Sequence, residues 1–279
     1  MKVAVLSGKG GAGKTLLSVN LAASAPRAVY IDCDVEEPNG RLFLKPENLR
    51  SEEVGTLLPA FDETRCDGCR KCVQACRFNA LIYIRQKPKV FTEVCHSCGL
   101  CEMICPQKAI HEEKRRVGHL EIGQRGAVTV VTGLLDPGES SGVPIIHAAL
   151  GKAPADDTLC VVDCPPGSAC SVMESVTDAD YCLLVAEPTA FGFHNFCMVH
   201  ELATLLGKPC GVVINKMDAP FPPLEEFCEK NDLPVLARIP YDPRTALLAS
   251  RGELLCEADA DSRSLFREIL AKIEGGARS

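Results

Sequence analysis

The sequence predicts an α/β fold, a doubly wound parallel sheet into which a small cysteine-rich domain is inserted. Three observations carry this. Short, wholly apolar runs alternate with helical stretches along most of the chain, the pattern of strands buried on both faces with crossover helices between them. A glycine-rich loop stands directly after the first apolar run. One segment, from about Asp62 to Ile110, breaks the alternation with closely spaced cysteines and an internal repeat.

Taken in order, Val3–Leu6 reads as the first buried strand and Thr15–Ala25 as a helix stopped at Pro26. Ala28–Ile31 is a second strand that runs into Asp32-Cys33-Asp34. Further strands are predicted at Ala127–Thr132, Leu159–Asp163, Tyr181–Ala186, Gly211–Ile214 and Val235–Ile239. Helices are predicted at Pro144–Leu150, His194–Leu206 and Leu224–Asn231, and a last one carries Leu265, Phe266, Ile269, Leu270 and Ile273 on one face. The domain boundaries that follow are 1–61 with 111–279 for the α/β body and 62–110 for the insert.

Composition bounds the function classes. With 279 residues, 46% hydrophobic and 24% charged, the chain is long enough to bury a large core. A net charge of −7 argues against a general nucleic-acid binder. The run Lys114-Arg115-Arg116, with Glu112 and Glu113 beside it, reads as a solvated face. No signal-peptide core, no membrane-length apolar run and no basic amphipathic tail is apparent, so the expectation is a cytoplasmic protein without membrane insertion. Seventeen cysteines in a reducing compartment then point to metal or redox chemistry rather than disulfides.

Gly8–Thr15, GKGGAGKT, fits the phosphate-loop pattern G-x-x-x-x-G-K-[ST] in the required strand-to-helix context. The glycines let backbone N–H groups close around phosphate oxygens at a helix N-terminus. Gly8, Lys9, Gly10, Gly11, Ala12, Gly13, Lys14, Thr15 and Leu16 are therefore candidate nucleotide-binding residues. Lys14 is placed to reach the β- and γ-phosphates, and the Thr15 hydroxyl to hold Mg²⁺.

The loop carries a second lysine, Lys9. Here the chain resembles the deviant Walker A ATPases, the MinD, ParA, Mrp and nitrogenase iron protein group, and the related cobyrinic acid a,c-diamide synthase-like nucleotide-binding domains. The resemblance implies a P-loop ATPase that forms a homodimer on binding ATP, with Lys9 crossing the interface to the partner's nucleotide as an arginine finger would. Asp32–Asn39, DCDVEEPN, resembles the family's switch I; Asp34 would orient the attacking water and Asp32 would support the Mg²⁺ site. Asp163-Cys164-Pro165-Pro166-Gly167 resembles its switch II; Asp163 would hold Mg²⁺ through water and Gly167 would sense the γ-phosphate. The stretch 186–196 resembles one that usually ends in His-Asp, where this chain has His194-Asn195. Asn215 of Asn215-Lys216-Met217-Asp218 would contact adenine, although the same four residues look like a guanine-reading motif, and ATP and GTP both stay open on sequence, with the double-lysine loop favouring ATP. Lys9, Lys14 and Asp34 are the candidate catalytic residues.

In the insert, residues 66–81 match residues 95–110 at a fixed offset of 29, and each half reads C-x2-C-x2-C-x3-C. Eight of the seventeen cysteines lie here, and Pro106 completes the bacterial ferredoxin run in the second half, where the first has Arg77. Because the fourth cysteine of each run serves the other cluster, the spacing assigns Cys66, Cys69, Cys72 and Cys105 to one [4Fe–4S] cluster and Cys95, Cys98, Cys101 and Cys76 to a second. The fourth cysteine is expected on a short helix. Zinc sites use pairs separated by longer loops, so iron–sulfur is favoured. Cys33 and Cys164, beside the switch aspartates, read as small apolar fillers, and His96 as a surface residue.

The combined expectation is an ATPase whose nucleotide cycle gates electron transfer through two [4Fe–4S] clusters, working with an unidentified redox partner protein. Two readings of other kinds remain beside it: a Mrp-type cluster carrier, and a MinD-like organiser that senses redox state.

Overall fold

The computed structural model describes residues 1–277; the last two residues of the 274–279 tail lie outside them. In chain order the body opens with β1 (Lys2–Leu6), α1 (Lys14–Ser24), β2 (Ala28–Asp32), α2 (Gly40–Leu44) and the long β3 (Glu47–Phe61). The insert follows with α3 (Lys71–Ala75), β4 (Leu81–Ile84), β5 (Lys87–Val90) and α4 (Leu100–Met103). The body resumes at β6 (Ile110–Arg125), β7 (Val128–Leu135), α5 (Val143–Leu150), β8 (Leu159–Asp163), α6 (Cys170–Val176), β9 (Tyr181–Ala186) and α7 (Ala190–Leu205). It ends with β10 (Cys210–Met217), α8 (Pro222–Lys230), β11 (Val235–Pro240), α9 (Pro243–Ser250), α10 (Leu255–Ala258) and α11 (Ala260–Gly276).

Nine strands form one sheet in the order β11-β10-β9-β1-β8-β2-β7-β6-β3. From β11 to β7 every neighbouring pair is parallel. The doubly wound parallel sheet expected from sequence is present over these seven strands, and one edge adds β6 antiparallel to β7 and β3 antiparallel to β6. The central strands are apolar throughout because both faces are covered. One face packs Ile31, Val162, Leu184 and Ile214 against α5, α6 and α7; the other packs Tyr30, Val161 and Leu183 against α1 and α11. From α11, Phe266, Ile269, Leu270 and Ile273 are buried as the helical spacing requires, with Leu265 partly buried at the margin.

The antiparallel edge positions the insert. Gly118 pairs with Leu135, the last residue of β7, so the part of β6 before Gly118 projects past the carboxyl ends of the parallel strands. It stays paired with β3 for seven further positions, from Gly55–Arg116 to Phe61–Ile110, which at about 3.3 Å per residue is a ribbon of roughly 23 Å. A register shift between Val54 and Gly55 marks the point where the ribbon leaves the sheet, and such bulges bend and twist a strand. Residues 62–109 sit at the ribbon's tip, on the side where open α/β sheets bind ligands. Lys114 and Arg116 are exposed on the ribbon, as a solvated face requires, while Arg115 is half-buried in a two-bond pair with Glu139 at 2.7 and 2.5 Å.

Candidate functional site

The loop between β1 and α1 wraps the N-terminus of α1. Gly11 and Gly13 take left-handed backbone conformations (φ 79 and 95), which a side chain would resist. At Gly13 a Cβ would also lie 2.1 Å from Asn215 Nδ2, which donates to Ala12 O at 2.8 Å. Gly8 has its own constraint: a Cβ there would strike the backbone of Asn195 on α7. Asn195 donates to Phe191 O at 2.7 Å, so its side chain is spent inside its own helix. Lys216 donates to Gly11 O at 2.6 Å. It sits where the β10–β11 register breaks and has positive φ (55), which aims it back at the loop.

A cleft of about 680 Å³ opens over this loop. Lys9, Gly10, Gly11, Gly13, Lys14, Thr15, Leu16, Asp34 and Asn215 line it, together with Leu42, Phe43, Tyr241 and Thr245. Gly167 donates its N–H to Ser7 O at 3.0 Å with φ 92, tying the loop after β8 to the phosphate loop. Of the candidates, Gly8, Ala12, Asp32, Asp163 and Gly167 are outside the lining of the cleft; Asp32 and Asp163 lie fully buried beneath it.

β2 and β8 are neighbours in register, so Asp32 and Asp163 face each other across the pair. Lys14 Nζ donates to Asp163 Oδ1 at 2.6 Å, and Ser18 Oγ donates to the same oxygen at 3.1 Å. Tyr30 OH donates to Asp163 Oδ2 at 2.9 Å and lies 3.4 Å from Asp32 Oδ2. Asp32 accepts from Gly40 N at 2.9 Å and Asp34 N at 3.2 Å. Two buried carboxylates thus share one buried ammonium. Burial, then the charge of Asp163, pushes the Asp32 carboxyl up to about 7, against the pull of the Gly40 hydrogen bond and Lys14. Burial alone would lower Lys14, but Asp163 and Asp32 outweigh it and hold the ammonium more firmly protonated. Burial, then the same two carboxylates, raises the Tyr30 phenol well above its usual range, so it stays a donor. Burial also raises Asp34, opposed by Lys14.

Lys9 does not point into open solvent. Its ammonium pairs with Glu187 at 2.5 Å and lies 5.6 Å from the centre of the exposed Phe191 ring. Tyr30, Ser18 and Glu187 are therefore site residues that sequence reasoning missed, and Lys216, which the sequence placed only in a possible base-reading motif, turns to the phosphate loop instead. The only signals were a tyrosine in an aliphatic strand, a serine four residues after Lys14, and the Glu187-Pro188 that closes β9.

In the insert the cysteines part crosswise. Cys66, Cys69, Cys72 and Cys105 line one small cavity. Cys76, Cys95, Cys98 and Cys101 line the other. The two halves repeat one further detail: Ala80 N donates to Cys76 Sγ and Ala109 N to Cys105 Sγ, each at 3.3 Å. Cys76 caps α3, and Cys105 lies two residues past the end of α4, so the fourth cysteines sit just beyond their helices rather than on them. Among the described residues no three His, Cys, Asp or Glu side chains converge on one point as a single ion requires. His96 stacks on Phe78, ring centres 3.8 Å apart, beside the second cavity. Cys33 and Cys164 are buried and their thiols are pushed far up, first by burial, as inert fillers should be.

A parallel sheet with this loop after its first strand, and acidic residues closing the two neighbouring strands, defines a P-loop nucleotide-binding protein. The chain belongs to the CobQ/CobB/MinD/ParA nucleotide-binding domain family, whose description matches residues 3–255. An uncharacterized protein of Methanocaldococcus jannaschii is 29% identical over 98% of this chain and 96% of its own length. The septum site-determining protein MinD complexed with Mg-ADP from Pyrococcus horikoshii shares the fold, with a TM-score of 0.61 at 18% identity over 98% of this chain and 95% of that one. A shorter match, 28% identical over 29% of this chain, spans 99% of the pyruvate synthase subunit PorD of Methanothermobacter marburgensis. MinD and ParA members of the family are ATPases, and a nucleotide with Mg²⁺ is the ligand such a loop takes. Among the described residues no helix is long and apolar enough to cross a membrane.

Proposed function

We propose that this chain is an ATPase in which the nucleotide controls electron transfer through two [4Fe–4S] clusters, with residues 1–61 and 111–279 forming the ATPase body and 62–110 a ferredoxin domain. The cysteines fit the clusters: four sulfurs bound each cavity wall rather than one point, and backbone N–H groups already donate to two of them. Cys66, Cys69, Cys72 and Cys105 would hold one cluster, and Cys76, Cys95, Cys98 and Cys101 the other. Bound there, the clusters supply one-electron transfer. The match to nearly the whole of a small pyruvate synthase subunit supports a self-contained redox module.

In the body, Thr15 with Asp163 and Asp32 behind it would hold Mg²⁺, which offsets charge on the β- and γ-phosphates. Lys14 would leave Asp163 for the phosphates, whose negative charge competes for the same ammonium. Asp34 would orient water, and Asn215 with the double-lysine loop would favour ATP. Lys9 would leave Glu187 to reach the nucleotide of a second copy, which makes the ATP-bound form a homodimer, as MinD-like relatives support.

The observation that carries the gating claim is the loop 136–142 between β7 and α5. The end of β7 and the far end of this loop hold switch I: Leu135 N donates to Val35 O at 3.0 Å, and Val35 is lodged where a Cβ on Gly133 of β7 or on Gly142 of the loop would collide with it. The loop's other side holds the ribbon and insert. Asp136 and Glu139 bind Arg116 and Arg115, and Ser140 Oγ donates to Glu93 O at 3.1 Å, two residues before Cys95. A nucleotide that shifts the segment containing Asp34 and Val35 therefore acts on the second cysteine cavity through direct contacts. Linkage makes such an effect reciprocal.

The test is a redox titration with and without a non-hydrolysable ATP analogue, beside binding isotherms for oxidised and reduced protein. The usual coupling range of about 1–3 kcal/mol corresponds to a midpoint shift of about 40–130 mV for one electron, with a matching change in analogue affinity. If neither quantity changes, the nucleotide does not gate the clusters and the carrier reading takes its place.

A further inference from the structure

The two halves of the insert share a spacing, a local fold and a ligand pattern, so each is a control for the other. At an offset of 29, Arg65, Arg70, Lys71 and Arg77 of the first half stand where the second has Val94, Gly99, Leu100 and Pro106. Folding of the repeat needs none of these cations. Arg70 makes the point most sharply. It caps α3 with φ 61, and its counterpart Gly99 caps α4 with φ 71, a left-handed conformation that favours glycine. Arginine is kept at a position where the backbone would gain from its absence.

Two of these cations lie at one cavity, whereas Arg77 stands between Cys76 and Phe78, which line the other. Arg70 and Lys71 line the pocket of Cys66, Cys69, Cys72 and Cys105, and Arg70 lies over the Tyr83 ring at 4.6 Å. Tyr83 is cross-strand from Pro88, which stands between Lys87 and Lys89, and Arg85 forms the hairpin tip. Lys87 pairs with Glu63, but Arg65, Arg70, Lys71, Arg85 and Lys89 make no ion pair among the described residues. All are exposed, as is Cys69. Residues 62–110 carry eight Lys and Arg against five Asp and Glu, a net +3, whereas the whole chain is −7, so the remainder is −10. Each [4Fe–4S] cluster with its four thiolates would add about −2, which takes the loaded insert to about −1 but falls equally on both halves and leaves the difference between them unchanged.

This basic end is also the outer one. The cavity of Cys76, Cys95, Cys98 and Cys101 leans on Pro59 and Glu112 of the ribbon, and Glu93 beside it touches the 136–142 loop. The cavity of Cys66 reaches the ribbon only at Ile110, its last pair. With a ribbon of roughly 23 Å and a screening length of about 8 Å, the acidic body is largely invisible to a compact partner at the tip. A long polyanion would still run back against it, which disfavours nucleic acid.

We propose that the end of the insert around Cys66, Cys69, Cys72 and Cys105 is the docking surface for a compact, acidic electron-carrier protein. The proposal rests on the redox reading of the insert for the carrier's chemistry, and on charge and position alone for the docking. A bound carrier would face the outer cysteine set, while the inner set faces the nucleotide.

The experiment uses the full chain, purified anaerobically, with iron and sulfide counted on the same sample. Binding is measured to a fluorescently labelled flavodoxin, which is small and acidic, and to cytochrome c and an RNA oligonucleotide as contrasts. The variant R70G/K71L installs the residues that the second half already tolerates, and K89Q is added to it. Flavodoxin should bind, lose at least tenfold in affinity between about 20 mM and about 300 mM salt, and lose at least tenfold in the triple variant with iron content and ATPase rate unchanged. Absence of flavodoxin binding, binding indifferent to these residues, or stronger binding of cytochrome c or RNA overturns the proposal. Iron-free protein that still binds flavodoxin through these residues would uphold the docking surface and refute the electron-transfer reading, so the two fail separately.

Discussion

Replacing Asp32 by asparagine should make the nucleotide-free protein relatively more stable as pH rises. Asp32 and Asp163 are both fully buried and share the single ammonium of Lys14. The Asp32 carboxyl is raised from 3.8 to about 7, first by burial and then by Asp163. A carboxyl raised on folding binds more protons in the native state between those two values, so its contribution to stability falls as pH climbs through that window and is flat above it. At 1.36 kcal/mol per pKa unit, and relative to pH below 3.8, Asp32 costs the native state about 2 kcal/mol at about pH 5.5, where it stays protonated, and about 4 kcal/mol at about pH 8.5, where it is ionised. Asparagine does not ionise and escapes that cost. It also disturbs a hydrogen bond, since its amide cannot accept from both Gly40 N and Asp34 N, at a cost of about 1–3 kcal/mol. That cost does not depend on pH. The difference between variant and wild type should therefore move by about 2 kcal/mol in the variant's favour between the two pH values, whatever its sign at either. For a body of this size this is about 4–8 °C in melting temperature. The assay is thermal unfolding followed by circular dichroism across the pH series in EDTA. A difference that stays flat with pH would refute the burial argument.

Three further outcomes follow from the geometry. Lys9→Ala should leave nucleotide binding nearly intact and slow hydrolysis on the order of 10³-fold, whereas Lys14→Ala should abolish binding; steady-state hydrolysis and equilibrium binding measure the two. Glu187→Gln removes the partner that holds Lys9, and should lower the ATP concentration needed for dimerisation, read by light scattering; a higher requirement would mean that Glu187 aims Lys9 rather than retains it. Cys105→Ala should remove the iron held with Cys66, Cys69 and Cys72, and Cys76→Ala the iron held with Cys95, Cys98 and Cys101, each leaving about four of eight irons by chemical analysis and a different surviving spectrum.

What the sequence made legible follows from where each residue is buried. β8 and β9 were readable to the residue, because a strand covered on both faces is a continuous apolar run. The phosphate loop and the division of the eight cysteines between two cavities were readable because their chemistry demands fixed spacings. The ribbon strands β3 and β6 were not. Along the ribbon Leu58, Pro59, Ile110 and Val117 are buried, but Lys114 and Arg116 there, and Arg50, Glu52 and Glu53 on the sheet edge before it, leave no alternation to read, and the antiparallel edge was missed with them. Tyr30 was hidden for the opposite reason. It looks like one more apolar strand residue until β8 is laid beside β2 and its hydroxyl meets two carboxylates. Glu187 and Lys216 lie 178 and 205 residues from their loop partners Lys9 and Gly11, and only the sheet order brings them together.

The charge imbalance beneath the phosphate loop and the contacts of the 136–142 loop meet at one short segment. Asp32 is the last residue of β2, and its carboxyl is held by the backbone N–H of Asp34 within the switch I stretch and of Gly40 just after it. Val35 is held between Gly133, near the end of β7, and Gly142, at the end of loop 136–142. A divalent cation and a triphosphate arriving over Asp32 and Asp163 would change the charge that those N–H groups feel, and would draw Lys14 off Asp163. The backbone that responds is the backbone that carries Val35. Close packing leaves Val35 little room to absorb such a shift locally, because a methyl group on either glycine would already overlap it. On the proposed gating the loop would follow, passing the shift through Ser140 to the segment that leads into Cys95 and through Glu139 to Arg115 on the ribbon. Substituting Ser140 by alanine removes the one hydrogen bond that, among the described residues, this loop makes to the insert, without touching the nucleotide site. It should therefore leave ATPase activity in place while reducing the nucleotide-dependent midpoint shift. An unchanged shift in Ser140→Ala would place the coupling in the ribbon pairing of β3 with β6 instead.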